Sequence, residues 1–116
     1  MSLYIQLGEE LISKIVTEFY VKAFADPIIG HFFFHHDRES ITQKQISFAL
    51  RMLGGPSPFK GKPLLGLHKP LAIRPPHFGR RQVLMAQTCN ELGLAKEFVD
   101  EWMRLEETLR PIIISY

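Results

Sequence analysis

One histidine, His68, lies where an imidazole could bind a metal ion. It belongs to the segment GGPSPFKGKPLLGLHKPLAI, residues 54–73, in which prolines and glycines enclose a short apolar stretch. Pro63 can open a helical turn because a helix start needs no N–H there, and Pro70 disfavours continued regular helix. The residues that then share one face at helical spacing are Leu64, Leu67, His68 and Leu71. The pattern allows a metal ligand, but on its own it favours a core histidine with a hydrogen-bond partner.

Two other polar side chains fall on apolar helical faces. Tyr20 lies on the apolar stripe of a helix predicted from Glu9 to about Ala25. The buried stripe of the next helix is predicted to contain Ile41, Gln45, Phe48, Ala49 and Met52. A buried amide without a partner costs about 1–3 kcal/mol. Either a structural partner or a ligand must therefore satisfy Gln45.

Apolar periodicity predicts an all-α chain with four main helices and short connecting pieces. The predicted helices cover residues 9–25, 40–53, 75–92 and 95–109. Asp26-Pro27 ends the first of them, and Gly54 and Gly55 end the second. Ser40 and Gln43 fit a capping box at the start of the second helix. Gly93 ends the third helix, and Pro111 should loosen the last turn of the fourth.

Several residues admit more than one interpretation. Arg81 lies near the inward face of its helix, where its charge could act in a pocket or its stem could extend to solvent; we expect the second. The three consecutive rings from Phe32 to Phe34 cannot all face one way, so at least one should cover a large flat surface. Residues 35–39 are expected to form a solvated loop, with a metal site as the minor alternative. Charged residues on the last helix are expected to face solvent.

Composition excludes several classes of function. The 116 residues carry a formal charge of only +2, too small and scattered for nucleic-acid binding. No apolar run reaches the roughly 18 residues of a membrane span, and the N-terminus does not resemble a signal peptide. The single cysteine, Cys89, excludes an internal disulfide and a cysteine-based metal cluster. We expect one soluble, cytoplasmic domain over residues 1–116.

The segment around His68 resembles a known family signature. Residues 54–73, the following His77-Phe78 pair and the LYIQLG opening at residues 3–8 are similar to the truncated globins, the short two-over-two haem proteins. The resemblance covers nearly the whole chain. HKPL at residues 68–71 resembles the second subgroup, whereas the His77-Phe78 pair and the Gly93 region resemble the first, to which the chain is closest. The implied fold is a two-over-two helical sandwich around haem b.

The resemblance implies a role for each unusual residue. His68 would bind the haem iron, with the Leu64 carbonyl as the local acceptor for its other ring nitrogen. Tyr20 and Gln45 match the distal tyrosine and glutamine that face the bound ligand, and the apolar Ile41 beside them cannot donate a hydrogen bond. Lys44 and Arg74 would meet the haem propionates. The haem-binding residues implied are His68, Phe33, Lys44, Phe48, Phe59, Leu64, Leu67, Ile73 and Phe78.

The implied function is binding of dioxygen, nitric oxide or carbon monoxide at an iron with one open position. Bound dioxygen carries partial negative charge, so a hydrogen bond from Tyr20 or Gln45 should slow its release. Oxygen binding or storage, nitric oxide detoxification and peroxidase-like chemistry are all compatible, and the last two would require an external reductase. The alternatives are a haem-free helical interaction module and a haem-based gas sensor.

Overall fold

Helices dominate the computed structural model, which describes residues 1–56 and 74–113. The helices are α1 (Leu3–Leu7), α2 (Glu9–Ala25), a 3-10 turn (Gly30–Phe33), α3 (Arg38–Met52), α4 (Pro75–Glu91), α5 (Lys96–Glu107) and α6 (Arg110–Ile113). No strand occurs within these described ranges, which agrees with the all-α prediction. Predictions on His68, Phe59, Leu64, Leu67 and Ile73 lie outside the described residues.

Helix α2 is the centre of the packing. It contacts α3, α4, α1 and the 3-10 turn, while α4 packs on α5 and α1 reaches α5. Its apolar stripe is buried as predicted, and Tyr20 is 6 % exposed. Burial of such a continuous stripe is the main favourable term in holding the helices together. The largest fully buried side chains include Phe19, Ile12 and Ile15 of α2, Phe78 and Met85 of α4, and Trp102 and Glu106 of α5.

The end of α3 confirms the predicted glycine stop. Gly54 has φ +96°, the left-handed region that side chains with a Cβ rarely adopt. A Cβ on Gly54 would also lie 2.7 Å from the Cβ of Ser2. The Tyr4 N–H donates to the Leu53 carbonyl at 2.9 Å, so the N-terminal helix packs directly on this turn.

The start of α3 differs from the prediction. Asp37 is the N-cap, and its Oδ2 accepts a hydrogen bond from the Ser40 N–H at 2.8 Å. Ser40 therefore lies within the first turn, and the predicted capping box of Ser40 and Gln43 is wrong. Asp37, three residues earlier, takes the N-cap position in place of Ser40. Its side chain can cap the helix, and the positive N-terminal end of the helix dipole stabilises its negative charge.

The buried face of α3 is also rotated from the predicted stripe. Ala49 is buried as expected, but its buried companions are Thr42, Leu50 and the following Leu53. The other predicted members, Ile41, Gln45, Phe48 and Met52, are half-buried. Helix α3 thus packs on the core with one face and presents a second, mostly apolar face beside it.

Asp26 fastens the end of α2 to α4. Its Oδ2 accepts from the N–H groups of Ile28 and Ile29 at 3.0 and 3.1 Å. Its Oδ1 accepts from Nε and Nη2 of Arg80 at 2.9 and 2.6 Å. The bonds from Arg80 and from the two backbone groups hold the pKa of Asp26 below its usual value. The predicted helix stop at Asp26-Pro27 is confirmed.

The last helix is shorter than predicted. Helix α5 ends at Glu107, and α6 begins at Arg110 as a separate turn. Proline lacks an N–H and its ring crowds the carbonyl four residues earlier. The helix therefore ends two residues before the predicted residue 109, ahead of Pro111, which was expected to loosen its final turn.

Candidate functional site

Tyr20 and Gln45, from separate helices, line one small internal cavity. The volume of this cavity is about 20 Å³, which leaves room for roughly one water molecule. Its walls are contributed by α2, α3, α4, α5 and Leu109. The lining residues are Val16, Tyr20, Gln45, Phe48, Ala49, Met52, Arg81, Met85, Trp102, Glu106 and Leu109. The expected convergence of the tyrosine and the glutamine is therefore present in the fold.

Aromatic rings fix the position of Tyr20. Its ring meets Phe19 edge-on at a centroid distance of 4.8 Å and Phe33 edge-on at 5.9 Å. Phe33 in turn stacks on Phe24 at 4.9 Å. Edge-to-face and offset arrangements of this kind are favourable beyond their buried area. The phenol ring is thus locked by packing, which leaves its hydroxyl as the adjustable group.

A buried ion pair forms part of the cavity wall. Nη1 of Arg81 donates to Oε1 of Glu106 at 2.7 Å, and Nε1 of Trp102 donates to Oε2 of Glu106 at 3.0 Å. The Glu106 side chain is only 2 % exposed and that of Arg81 is 27 % exposed. The Arg81 guanidinium also lies 4.9 Å from the centroid of the Phe19 ring, a cation–π contact.

The expectation that Arg81 extends to solvent is therefore wrong. Its guanidinium turns inward because Glu106 supplies a buried opposite charge within hydrogen-bond distance. Burial opposes the charge on Arg81, but attraction to Glu106 and Tyr20 outweighs it and raises the pKa of Arg81 above its ordinary value. Arg81 consequently stays charged at the cavity.

Arg81 and Tyr20 line the same cavity. Burial raises the pKa of Tyr20, and the charge and hydrogen bonding of the Arg81 guanidinium partly offset this rise. Tyr20 therefore keeps its proton at neutral pH and can donate a hydrogen bond.

Glu106 is the residue that sequence reasoning missed. The charged residues of the last helix were expected to face solvent, but Glu106 lies four residues after the fully buried Trp102 and seven after the buried Val99. That spacing places it on the inward stripe. An acid on the inward face of one helix and a cation on the inward face of another, Arg81, together form a sequence signal for a buried pair.

Gln45 is half-buried beside this network. Among the residues that the structure describes, none forms a hydrogen bond with its side-chain amide. The amide can both donate and accept. Gln45 thus presents an adaptable polar group to the cavity, next to the hydroxyl of Tyr20.

The other residues predicted to contact haem or its ligand differ in burial. Ile41, Phe33 and Phe48 are half-buried, and Lys44 is exposed on α3. Phe78 is fully buried, with the guanidinium of Arg110 4.7 Å from its ring centroid. The structure brings Phe48 to the cavity. The predicted contact residues that do not line it are Ile41, Phe33, Lys44 and Phe78.

Other reactive side chains are accounted for elsewhere. Burial, with a smaller contribution from Glu106, raises the pKa of the Cys89 thiol to about 12, so this cysteine is not a nucleophile at neutral pH. Nδ1 of His77 accepts a hydrogen bond from the Arg74 N–H at 3.0 Å, which caps the start of α4.

The described helices include none that is long and apolar enough to cross a bilayer.

Comparison with known proteins gives the family. The sequence model described as bacterial-like globin matches residues 2–114. The group 1 truncated haemoglobin of Tetrahymena pyriformis is 33 % identical over 103 residues, which cover 89 % of this chain and 85 % of that protein. The chain belongs to the truncated haemoglobins.

Solved truncated haemoglobins share the fold over almost their full length. The Fe(III) form from Tetrahymena pyriformis superposes with a TM-score of 0.94 at 31 % identity, with complete coverage of both chains. The oxygen-avid haemoglobin of Bacillus subtilis has a TM-score of 0.85 at 29 % identity, covering 97 % of this chain and 99 % of that one. The two-over-two globin fold, haem b as cofactor and the closeness to the first subgroup are thereby confirmed.

The described residues fit a truncated haemoglobin with haem bound. A planar apolar cofactor with one reactive face needs apolar surface and a few polar groups directed at the ligand position. The half-buried face of α3 offers apolar surface, and Tyr20 and Gln45 offer polar groups to one cavity. The Arg81–Glu106 ion pair adds two charged side chains to a cavity wall that is otherwise mainly apolar.

Breaking this ion pair should be costly, because it leaves a cation at a largely dry site. Glu106→Leu is expected to lower the free energy of unfolding by about 2–4 kcal/mol, somewhat below the value for a fully buried pair because Arg81 keeps some exposure. The double variant Arg81→Met/Glu106→Leu should lose only about 1–2 kcal/mol, mainly from the Trp102 N–H that lacks its acceptor. Urea unfolding of the three proteins measures this. Equal losses in the single and double variants would contradict a coupled pair.

Proposed function

We propose that this truncated haemoglobin binds dioxygen at a haem held by His68, with Tyr20 and Gln45 as the distal hydrogen-bonding pair. Ferrous haem with one protein ligand supplies an open position for a diatomic molecule. The observation that carries the proposal is the convergence of Tyr20 and Gln45 on one cavity that is otherwise walled mainly by apolar side chains. Ile41 on the same face of α3 offers no hydrogen bond.

The chain contributes affinity through these two side chains. Dioxygen in such a site carries partial negative charge, and the hydroxyl of Tyr20 and the amide N–H of Gln45 can both donate to it. A hydrogen bond to a charged group is worth about 1.5–3 kcal/mol, which slows release by about ten- to a hundredfold. Nitric oxide and carbon monoxide enter the same site, but weaker polarisation gives carbon monoxide less benefit.

Slow release favours a redox role over oxygen delivery. Dioxygen and nitric oxide combine to nitrate when one electron is supplied, so the reaction requires an external reductase to return that electron. We propose nitric oxide detoxification as the specific function, with oxygen storage as the second candidate. The similarity to the oxygen-avid truncated haemoglobin of Bacillus subtilis supports tight dioxygen binding.

Absorption spectroscopy of the purified protein tests the proposal. The reduced protein should show an intense band near the blue edge of the visible, which shifts when dioxygen or carbon monoxide is added. Stopped-flow mixing of the oxygenated protein with nitric oxide should then give one nitrate per haem. A protein that neither retains haem from the cell nor binds added haem would contradict the proposal and favour a helical interaction module.

A further inference from the structure

Donor and acceptor capacities around Tyr20 are unevenly distributed. Arginine carries five N–H donors and no acceptor, whereas a phenol can both donate and accept. Any hydrogen bond between Arg81 and Tyr20 must therefore run from the guanidinium to the phenol oxygen. The hydrogen of the Tyr20 hydroxyl then needs an acceptor elsewhere.

Arg81 also engages a competing acceptor in the same cavity wall, the carboxylate of Glu106. Glu106 lies close enough to Tyr20 for its charge to act on the phenol. Both of its carboxylate oxygens are engaged, Oε1 by Arg81 at 2.7 Å and Oε2 by Trp102 at 3.0 Å. Without the guanidinium, Oε1 would become a free, negatively charged acceptor in the cavity that Tyr20 also lines.

The remaining acceptors are those in the cavity. Among the described residues, no protein acceptor is bonded to the hydroxyl of Tyr20. The half-buried amide of Gln45 lines the same cavity. Within the described part of the chain, the Gln45 oxygen is therefore the acceptor left for the hydroxyl, beside a ligand in the cavity.

We propose that Arg81 is a specificity-determining positioning residue that makes Tyr20 an obligate hydrogen-bond donor to the distal ligand. It does so by holding the competing Glu106 carboxylate at 2.7 Å and by offering its other N–H groups to the phenol oxygen across the shared cavity. The inference rests on the proposed function, because it assumes that Tyr20 faces the ligand. Its consequence is selectivity: the pocket retains ligands that accept a hydrogen bond, such as dioxygen and small anions, over ligands that must donate one.

Fluoride binding to the ferric holoprotein tests this inference, because fluoride can only accept hydrogen bonds. Arg81→Met should weaken fluoride affinity by about ten- to a hundredfold, as much as Tyr20→Phe does, since the hydroxyl turns to Glu106. Arg81→Met/Glu106→Leu should recover to within about threefold of the wild type, because the competing acceptor is gone. Arg81→Lys, which keeps a donor-only cation, should retain most of the affinity.

The double variant separates orientation from charge. If Arg81 acted through its positive charge alone, Arg81→Met/Glu106→Leu would remain as weak as Arg81→Met, and that result would overturn the inference. Wild-type affinity in Arg81→Met would also overturn it. Urea unfolding of each holoprotein, measured in parallel, shows whether affinity follows stability; an affinity order that only tracks stability would assign Arg81 a purely structural role.

Failure of the proposed function gives a different pattern. If Tyr20→Phe leaves fluoride affinity unchanged while the haem spectrum is normal, Tyr20 does not face the ligand, and the distal assignment fails before Arg81 is considered. If Tyr20→Phe weakens fluoride binding but the Arg81 variants do not, the distal assignment stands and only the role of Arg81 is rejected.

Discussion

His68→Ala should abolish stable haem binding, so that the purified variant is colourless or loses its haem on gel filtration. The reason is that a neutral imidazole is the iron's protein ligand in this proposal, and alanine offers no donor atom. The absorbance ratio of the haem band to the protein band at 280 nm measures the loss. Added imidazole should partly restore the band, since a free ligand can occupy the space of the deleted ring.

His77→Ala is the matched control for His68. Nδ1 of His77 already accepts the Arg74 N–H at 3.0 Å, and its ring packs edge-on against Phe32 at a centroid distance of 5.0 Å. These contacts fit a helix-capping role, so His77→Ala should keep its haem while losing about 0.5–2 kcal/mol of stability, the usual value of a cap. Haem retained in His68→Ala and lost in His77→Ala would transfer the ligand assignment to His77.

Tyr20→Phe should speed dioxygen release by about ten- to a hundredfold, the kinetic equivalent of about 1.5–3 kcal/mol. The substitution removes only the hydroxyl, because the edge contacts of the ring with Phe19 and Phe33 remain possible. Gln45→Leu should act in the same direction by a smaller factor. Stopped-flow displacement of dioxygen by carbon monoxide measures each rate.

The two substitutions should not be additive. No direct hydrogen bond joins Tyr20 and Gln45 in the described structure, so their coupling must pass through the ligand in the cavity that they share. A double-mutant cycle should give a coupling of about 0.5–3 kcal/mol for dioxygen. Release of carbon monoxide should change far less in all variants. Unchanged dioxygen release in Tyr20→Phe would refute the distal assignment and leave that of His68 intact.

The positions of the main helices followed from the sequence alone. Apolar periodicity identified α2 over the full range Glu9–Ala25, and local chemistry placed its end at Asp26 and the turn at Gly54. Such features depend on residues close in sequence: the spacing of apolar groups, the missing N–H of proline and the left-handed backbone of glycine. The start of α3 was predicted wrongly although it too depends on residues close in sequence. Asp37 and Ser40 are both good N-caps, and local propensity does not rank them.

In the candidate site, too, local sequence and helix packing determine different features. Tyr20 and Gln45 were identifiable from the sequence, because a polar residue on an apolar stripe is visible in the periodicity of its own helix. That they share a cavity depends on how α2 and α3 cross. The rotation of α3, which left Gln45 and Phe48 half-buried instead of buried, was likewise set by packing between helices.

Only the tertiary structure decided the direction of Arg81. An arginine at the edge of the buried face of a helix can extend to solvent or turn inward, and the sequence of its own helix does not distinguish the two. The outcome depends on whether a buried carboxylate lies within reach, and Glu106 is 25 residues away on another helix. Burying either charge alone is unfavourable, whereas burying the pair with the Trp102 N–H satisfies both carboxylate oxygens. The inward spacing of Glu106 can be found in the sequence, but that its carboxylate meets Arg81 depends on how α4 packs on α5.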